Sequence, residues 1–239
     1  MTSPIHVRAK PGDVAPAVIL VGDPGRATRA AEFLDGDRCY NEFRGLLGYT
    51  GTYNGTAVSV QTTGMGAPSA AIVVEELAMF GAKLLIRAGT CGAVQPHMRA
   101  TDLVIATSAV PLDGATREYT QGDPFAPTAT FRVVEALAAA AKTTGHRYHV
   151  GPIATEDALY AVRENWTARW QARGILAQEM EASVIFTLAA LRGMDAGCIL
   201  VASNAAGHHE RLPDDALAPH IDAMLKIALD AVVELSRDT

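Results

Sequence analysis

The sequence predicts an α/β protein: a single-domain, three-layer αβα fold with a central mixed sheet, spanning residues 1–239. Three observations predict it. Apolar runs of strand length alternate with longer helical patterns, which calls for a parallel or mixed sheet covered on both faces. Apolar residues make up 49% of the chain and charged ones 19%, as expected of a globular protein with a sizeable core. No Pro/Gly/Ser-rich linker, charge block or repeat divides the chain, although its length alone would allow one large domain or two small ones.

Ala17 to Val21 reads as a buried strand, ended by Gly22-Asp-Pro-Gly-Arg26 and followed by a helix through Phe33. Gly48 to Tyr53 and Ala57 to Gln61 flank Asn54-Gly55, the strongest short hairpin pattern. Thr63-Gly-Met-Gly66 leads into a helix from Ser69 to Phe80, with Pro68 near its first turn. Further strands are expected at Leu84–Ala88, Leu103–Thr107, Tyr148–Ala154, Ala177–Met180 and Cys198–Ser203. Helical patterns lie between them at Arg132–Lys142, Trp166–Arg173 and Ser183–Arg192, and a last amphipathic helix runs from Pro219 to Leu235.

Composition excludes several function classes. A formal charge of −6 argues against nucleic acid as the main partner, because binding a phosphate backbone needs a basic face. No apolar run reaches the roughly 18 residues of a membrane span, and the start lacks the layout of a signal peptide. Cys39, Cys91 and Cys198 are far apart, form no C-x-x-C and are odd in number, so a reducing cytoplasm is the expected location. The seven histidines give no convincing metal set. His208-His209-Glu210 reads as a solvated loop before Pro213, and no metal is expected. No G-x-S-x-G occurs.

In open α/β sheets, ligands sit outside the carboxyl ends of strands. That rule puts Gly22–Arg26, Gly64–Gly66, Gly89–Gly92, Glu179–Glu181 and Ser203–Asn204 on one rim. The Gly22–Arg26 turn suits an anion, with glycine allowing close approach and free N–H groups pointing outward. It matches neither the P-loop nor the dinucleotide fingerprint, and a plain turn has the same sequence. Arg87 is set in the apolar run Leu84-Leu-Ile-Arg87, where burial requires a partner. That partner is an anion, aided by Thr90, or an acidic side chain of the protein. Gln178-Glu-Met-Glu181 carries two carboxylates two residues apart, on one side if the segment is extended. They can accept from sugar hydroxyls, act as acid and base, or cap the next helix. Asn204 offers donor and acceptor together, which suits a nucleobase edge or an ordinary turn.

Taken together, these segments resemble the nucleoside phosphorylase-I family, specifically its hexameric bacterial branch. The resemblance rests on the His6 segment, Gly22-Asp-Pro-Gly-Arg26, Arg44-Gly-Leu-Leu-Gly-Tyr-Thr-Gly51, Thr63-Gly-Met-Gly66, Ile86-Arg-Ala-Gly-Thr-Cys-Gly-Ala93, Glu179-Met-Glu-Ala182 and the strand end at Ser203. It implies phosphorolysis of a purine nucleoside, with inorganic phosphate as co-substrate and no cofactor. Gly22, Arg26, Arg87 and Thr90 would bind phosphate, joined by Arg44 from a neighbouring subunit. His6 of that neighbour would reach the ribose, beside Met180 and Glu181. Gln178, Glu179, Leu159, Tyr160, Cys91, Gly92 and Asn204 would lie around the base, and Asn204, Glu181 and Arg87 would serve catalysis. A homo-hexamer with active sites shared between subunits is implied as well.

The sequence departs from the best-known hexameric purine enzymes at two positions. They carry an aspartic acid at the position of Asn204 and a helping arginine at that of Leu217. An amide cannot protonate the leaving purine but can donate a hydrogen bond, so 6-oxopurines such as guanosine and inosine are the expected substrates. Leu159 also replaces a phenylalanine that stacks on the base. Among rivals, uridine phosphorylases read uracil with a glutamine and an arginine two residues apart, where this chain has Arg163 and Asn165. A nucleosidase would not need Arg26, Arg44 and Arg87 for phosphate, and a non-catalytic nucleoside-binding protein would not need the full arginine and glutamate set.

Overall fold

The computed structural model describes residues 3–161, 163–208 and 210–237. Its nine strands are β1 (Ala17–Val21), β2 (Asp35–Asn41), β3 (Gly48–Tyr53), β4 (Thr56–Thr62), β5 (Leu84–Ala93), β6 (Leu103–Pro111), β7 (Tyr148–Thr155), β8 (Ala177–Glu179) and β9 (Asp195–Asn204). Seven helices connect them: α1 (Pro24–Ala31), α2 (Ala67–Met79), α3 (Gly114–Tyr119), α4 (Phe131–Thr143), α5 (Trp166–Gln171), α6 (Ala182–Arg192) and α7 (Asp214–Arg237). The strands form one mixed sheet in the order β2-β3-β4-β1-β5-β8-β7-β6-β9.

β1 lies inside the sheet, between β4 and β5, and all five of its side chains are buried, as a strand covered on both faces demands. It runs parallel to both β4 and β5. The β3–β4 hairpin turns at Asn54 and Gly55, whose φ values of 48° and 79° meet the left-handed requirement of a tight two-residue turn. Beyond β5 the sheet closes on itself. β9 pairs with β6 on one side and, over its whole length, with β5 on the other. This closure brings the ends of β5, β8 and β9 together, with Gly92 opposite both Gln178 and Asn204.

Helices cover the sheet in two groups, α1 and α4 each against α7 on one side, and α2, α3 and α6 in mutual contact on the other. From Ala182 to Ala189, every α6 residue is buried, the pattern of a helix enclosed all round. One cluster of buried apolar residues runs from Val7 to Leu235. A smaller one gathers Val94, Ala154, Trp170 and Ile175.

Several elements differ from the sequence expectation. β2, Asp-Gly-Asp-Arg-Cys-Tyr-Asn, is largely exposed and pairs only with β3; a polar edge strand has no apolar alternation to betray it. α1 begins at Pro24, capped by the Asp23 carboxylate, so Arg26 stands in the first turn of a helix rather than in the loop before it. α7 begins at Asp214, and Pro219 lies inside it rather than at its start. Asp214 and Asp215 favour that earlier start by facing the positive end of the helix dipole.

Candidate active site

The five segments expected on one rim do converge. The turn after β4 joins the end of β1 through Thr63 N–H donating to the Val21 carbonyl at 2.8 Å. A Cβ on Gly22 would stand 3.3 Å from the Gly64 carbonyl oxygen, so glycine permits this close approach. Gly66 N–H donates to Glu181 Oε1 at 2.6 Å, tying the turn to the end of β8. The Ser203 hydroxyl donates to the Cys91 carbonyl at 3.1 Å, tying β9 to β5.

Arg26 and Arg87 differ sharply in their surroundings. Arg87 is 4% exposed and engaged by two carboxylates: its Nε meets Glu179 Oε2 at 2.8 Å and its Nη2 pairs with Glu181 Oε2. Burial pushes its pKa down, but Glu181 and Glu179 together outweigh burial and hold it above the ordinary arginine value. Gly89, two residues along the same strand face, leaves the guanidinium its room, since a Cβ there would come within 3.0 Å of Cζ and Nη2. Arg26 is 9% exposed and pairs with no carboxylate among the described residues. Its Nη1 reaches the Ala88 carbonyl at a long 3.4 Å, and its buried Nε has no partner. Burial first, then the positive charge of Arg87, hold its pKa below the ordinary value. The four charges sum to zero, yet their arrangement is lopsided, because Arg87 touches both carboxylates and Arg26 neither.

The two glutamates also differ. Both converge on Arg87, as side chains two apart on an extended segment should. Glu179 has no exposed side-chain surface. It accepts from Arg87, from the Thr155 hydroxyl, from Glu181 N–H at 2.8 Å, and from Ala182 N–H at 3.0 and 2.9 Å. Its lone pairs are thus consumed by Arg87, Thr155 and the start of α6. Glu181, with 5% of its side chain exposed, meets Arg87 and the Gly66 N–H.

At the other end of the rim, Gly92 faces Gln178 and Asn204. A Cβ on it would lie 3.2 Å from Gln178 Nε2 and 3.5 Å from Asn204 Oδ1. The Asn204 amide is turned toward its own loop, where Nδ2 donates to the His208 carbonyl and, at 3.4 Å, to that of Ala205. Thr90 and Met180 are half-buried. Cys91 is buried, and burial pushes its thiol far up in pKa, so it is an inert wall. Leu159 and Tyr160 are 60% and 93% exposed, and Leu217 is wholly buried in the core, away from any role as a polar helper. Met65, at 83% exposure, lies in the Gly64–Gly66 segment expected on the rim, where sequence analysis assigns it no role of its own. Gly64 and Gly66, at φ 70° and 88°, flank it in the turn that binds Glu181.

His6 and Arg44 sit apart from Arg26 and Arg87, on a cavity of about 200 Å³ shared with Leu46, Ser69 and Ile72. The cavity adjoins the rim, because the Ser69 hydroxyl donates to the Thr63 carbonyl at 2.5 Å. Arg44 is exposed, has no ion pair among the described residues and adopts φ 57°, ψ 20°, a left-handed conformation uncommon outside glycine. A larger hollow of about 520 Å³, lined by residues between Pro111 and Phe125, holds none of the expected site residues. His208 is exposed and lies in the loop after β9, whereas His209 falls outside the described residues. Among the described residues, no group of three or more His, Cys, Asp or Glu could hold a metal ion, and no helix is long and apolar enough to cross a membrane.

Comparison with known proteins adds two findings. Residues 16–234 match the model of the phosphorylase superfamily. A purine nucleoside phosphorylase DeoD-type of Geobacillus kaustophilus is 41% identical over 231 residues, covering 96% of this chain and 98% of that protein. Proteins of the same name from Roseobacter denitrificans (42% identical; 95% and 98% covered) and Clostridium perfringens (41%; 97% and 99%) match as fully.

Proposed function

Because this chain belongs to the phosphorylase superfamily, we propose that it is a purine nucleoside phosphorylase, cleaving purine (deoxy)ribonucleosides reversibly with inorganic phosphate to give the free base and (deoxy)ribose 1-phosphate. The observation that carries this reading is Arg26, a buried guanidinium with no carboxylate partner among the described residues and an orphaned Nε. A buried cation is expensive until an anion meets it, and Arg26 stands in the first turn of α1, the positive end of the helix dipole. The relatives' names, over nearly full length, support a purine nucleoside as the other substrate.

In this reading, phosphate lies against Arg26, Gly22 and Thr90, while Arg44 arrives from a neighbouring subunit and Arg87 bridges phosphate and Glu181. Phosphate attacks the anomeric carbon as the bond to the base breaks, and the sugar passes through an oxocarbenium-like state. Glu181 accepts from ribose hydroxyls beside Met180, and the site accelerates reaction by alignment and fixed charge. No cofactor enters the scheme. A homo-hexamer with shared active sites belongs to this reading, and the placement of His6 and Arg44 together on a cavity apart from Arg26 and Arg87 is what supports sites shared between subunits. A cytoplasmic location is supported by three free cysteines, and a single domain by the core cluster that links both ends of the chain.

The base preference follows from Asn204. Its Nδ2 already serves loop carbonyls, so a base must out-compete them. A departing 6-oxopurine spreads negative charge onto O6, and charge-assisted bonds are roughly twice as strong as neutral ones. Adenine has no such oxygen. A panel of inosine, guanosine, adenosine and uridine, each assayed with phosphate, tests this. We expect the highest kcat/KM for inosine and guanosine, and Asn204→Asp should shift the ratio toward adenosine. Equal or better wild-type activity on adenosine would refute the preference, and a preference for uridine would refute the purine assignment.

A further inference from the structure

Glu76 is a carboxylate in the middle of α2 whose helix neighbours Val73, Val74 and Leu77 are fully buried. Its side chain is 7% exposed, and among the described residues no lysine or arginine pairs with it. All its partners come instead from one short segment of chain. Ile5 N–H donates to Oε1 at 2.9 Å, His6 N–H to the two oxygens at 3.1 and 2.9 Å, and Val7 N–H to Oε2 at 2.5 Å. His6 Nδ1 lies 2.9 Å from Oε1. Three successive backbone N–H groups around one anion form a nest. Burial pushes the Glu76 pKa up, but the N–H groups of Val7, Ile5 and His6 outweigh it and hold the carboxylate below its ordinary value.

An ionised carboxylate only accepts hydrogen bonds. Against it, Nδ1 of His6 must carry a proton, so that whenever the ring is neutral Nε2 is its acceptor. That ring lines the cavity it shares with Arg44, Leu46, Ser69 and Ile72. We propose that Glu76 is a positioning residue: it anchors the N-terminal segment and fixes the His6 tautomer, so that Nε2 accepts from a sugar hydroxyl of the nucleoside bound by an adjoining copy. This rests on the phosphorylase reading and on the shared site. Glu76 itself touches no substrate, and its effect passes entirely through His6.

The test is a double-mutant cycle on the full-length enzyme, with Glu76→Gln, His6→Ala and the pair together, reading KM for inosine, KM for phosphate and thermal midpoint. Interaction through one shared partner makes such a cycle non-additive. Glu76→Gln should raise the inosine KM by about tenfold, a typical cost of losing one well-placed contact, and leave the phosphate KM within about twofold. His6→Ala should do the same, and the double variant should be no worse than His6→Ala. Glu76→Asp, which keeps the charge, should recover part of the loss. Among inosine analogues lacking one sugar hydroxyl each, one should no longer distinguish wild type from Glu76→Gln. A lowered thermal midpoint with unchanged inosine KM would make Glu76 a structural stitch and overturn the proposal, as would additive effects in the double variant. If wild-type enzyme splits no nucleoside with phosphate, the phosphorylase reading fails first and the proposal falls with it.

Discussion

A guanidinium that is nine-tenths buried and meets no carboxylate weakens the fold that carries it, and among the described residues Arg26 is in that position. Two consequences can be measured by thermal unfolding. Wild-type stability should rise with phosphate concentration, by about 2.7 kcal/mol when phosphate reaches a hundred times its dissociation constant. Arg26→Met should be at least as stable as wild type in phosphate-free buffer, because the uncompensated charge is gone, and should lose the phosphate-dependent rise. A variant that unfolds much earlier without phosphate would show that Arg26 is structural. The special status of Arg87 was legible from its place in an apolar strand, but the sequence left open whether an anion or a side chain would pair with it. The fold supplies two carboxylates, and only tertiary geometry could reveal that Arg26, in a weaker motif, is the unpaired one. Asn204 was recognisable as polar at a strand end; its engagement with the His208 carbonyl depends on a loop whose path no local pattern encodes.

Among the elements, β5 does the most to assemble the site, contacting β1, β8 and β9 along its ten residues. Its apolar start was readable, but its extension through Gly89, Thr90 and Gly92 was not, because glycines weaken strand propensity. Those glycines are present for a steric reason. Gly89→Ala would place a methyl 3.0 Å from Arg87 Cζ and 3.1 Å from Leu200 Cδ2. Displacing Arg87 from its carboxylates should cost about 1–3 kcal/mol of stability, as overpacking does, and lower kcat/KM by more than tenfold, measurable by denaturant unfolding and steady-state kinetics. Wild-type values for both would mean that the strand can shift and that Gly89 is not required. The hairpin at Asn54-Gly55, the buried β1 and the helix α6 follow from local rules. β2 and α3 do not: the first is a polar edge strand, and the second is a six-residue helix held by its Asp113 cap.

On the scale of the whole molecule, alternation of strands and helices sufficed to predict the layered architecture, whereas the closure of β9 onto β5 is a long-range pairing that no window of sequence contains. The outward cavity of His6 and Arg44 belongs to this scale too, since a site shared between subunits predicts complementation. Arg26→Ala and Arg44→Ala homo-oligomers should each be impaired. If subunits pair at random in a two-fold arrangement, co-assembly should restore about a quarter of the sites, because half of the pairs are mixed and each mixed pair holds one intact site. Rates no higher than the average of the two parents would mean that Arg44 serves its own chain. The central claim is that phosphate, not water, is the nucleophile met by Arg26, and the most direct measurement is inosine cleavage as phosphate is titrated from zero, with the pentose product identified. Saturable dependence on phosphate, negligible turnover without it and one ribose 1-phosphate per hypoxanthine released are the predicted results. Undiminished turnover in phosphate-free buffer, yielding free ribose, would contradict the account.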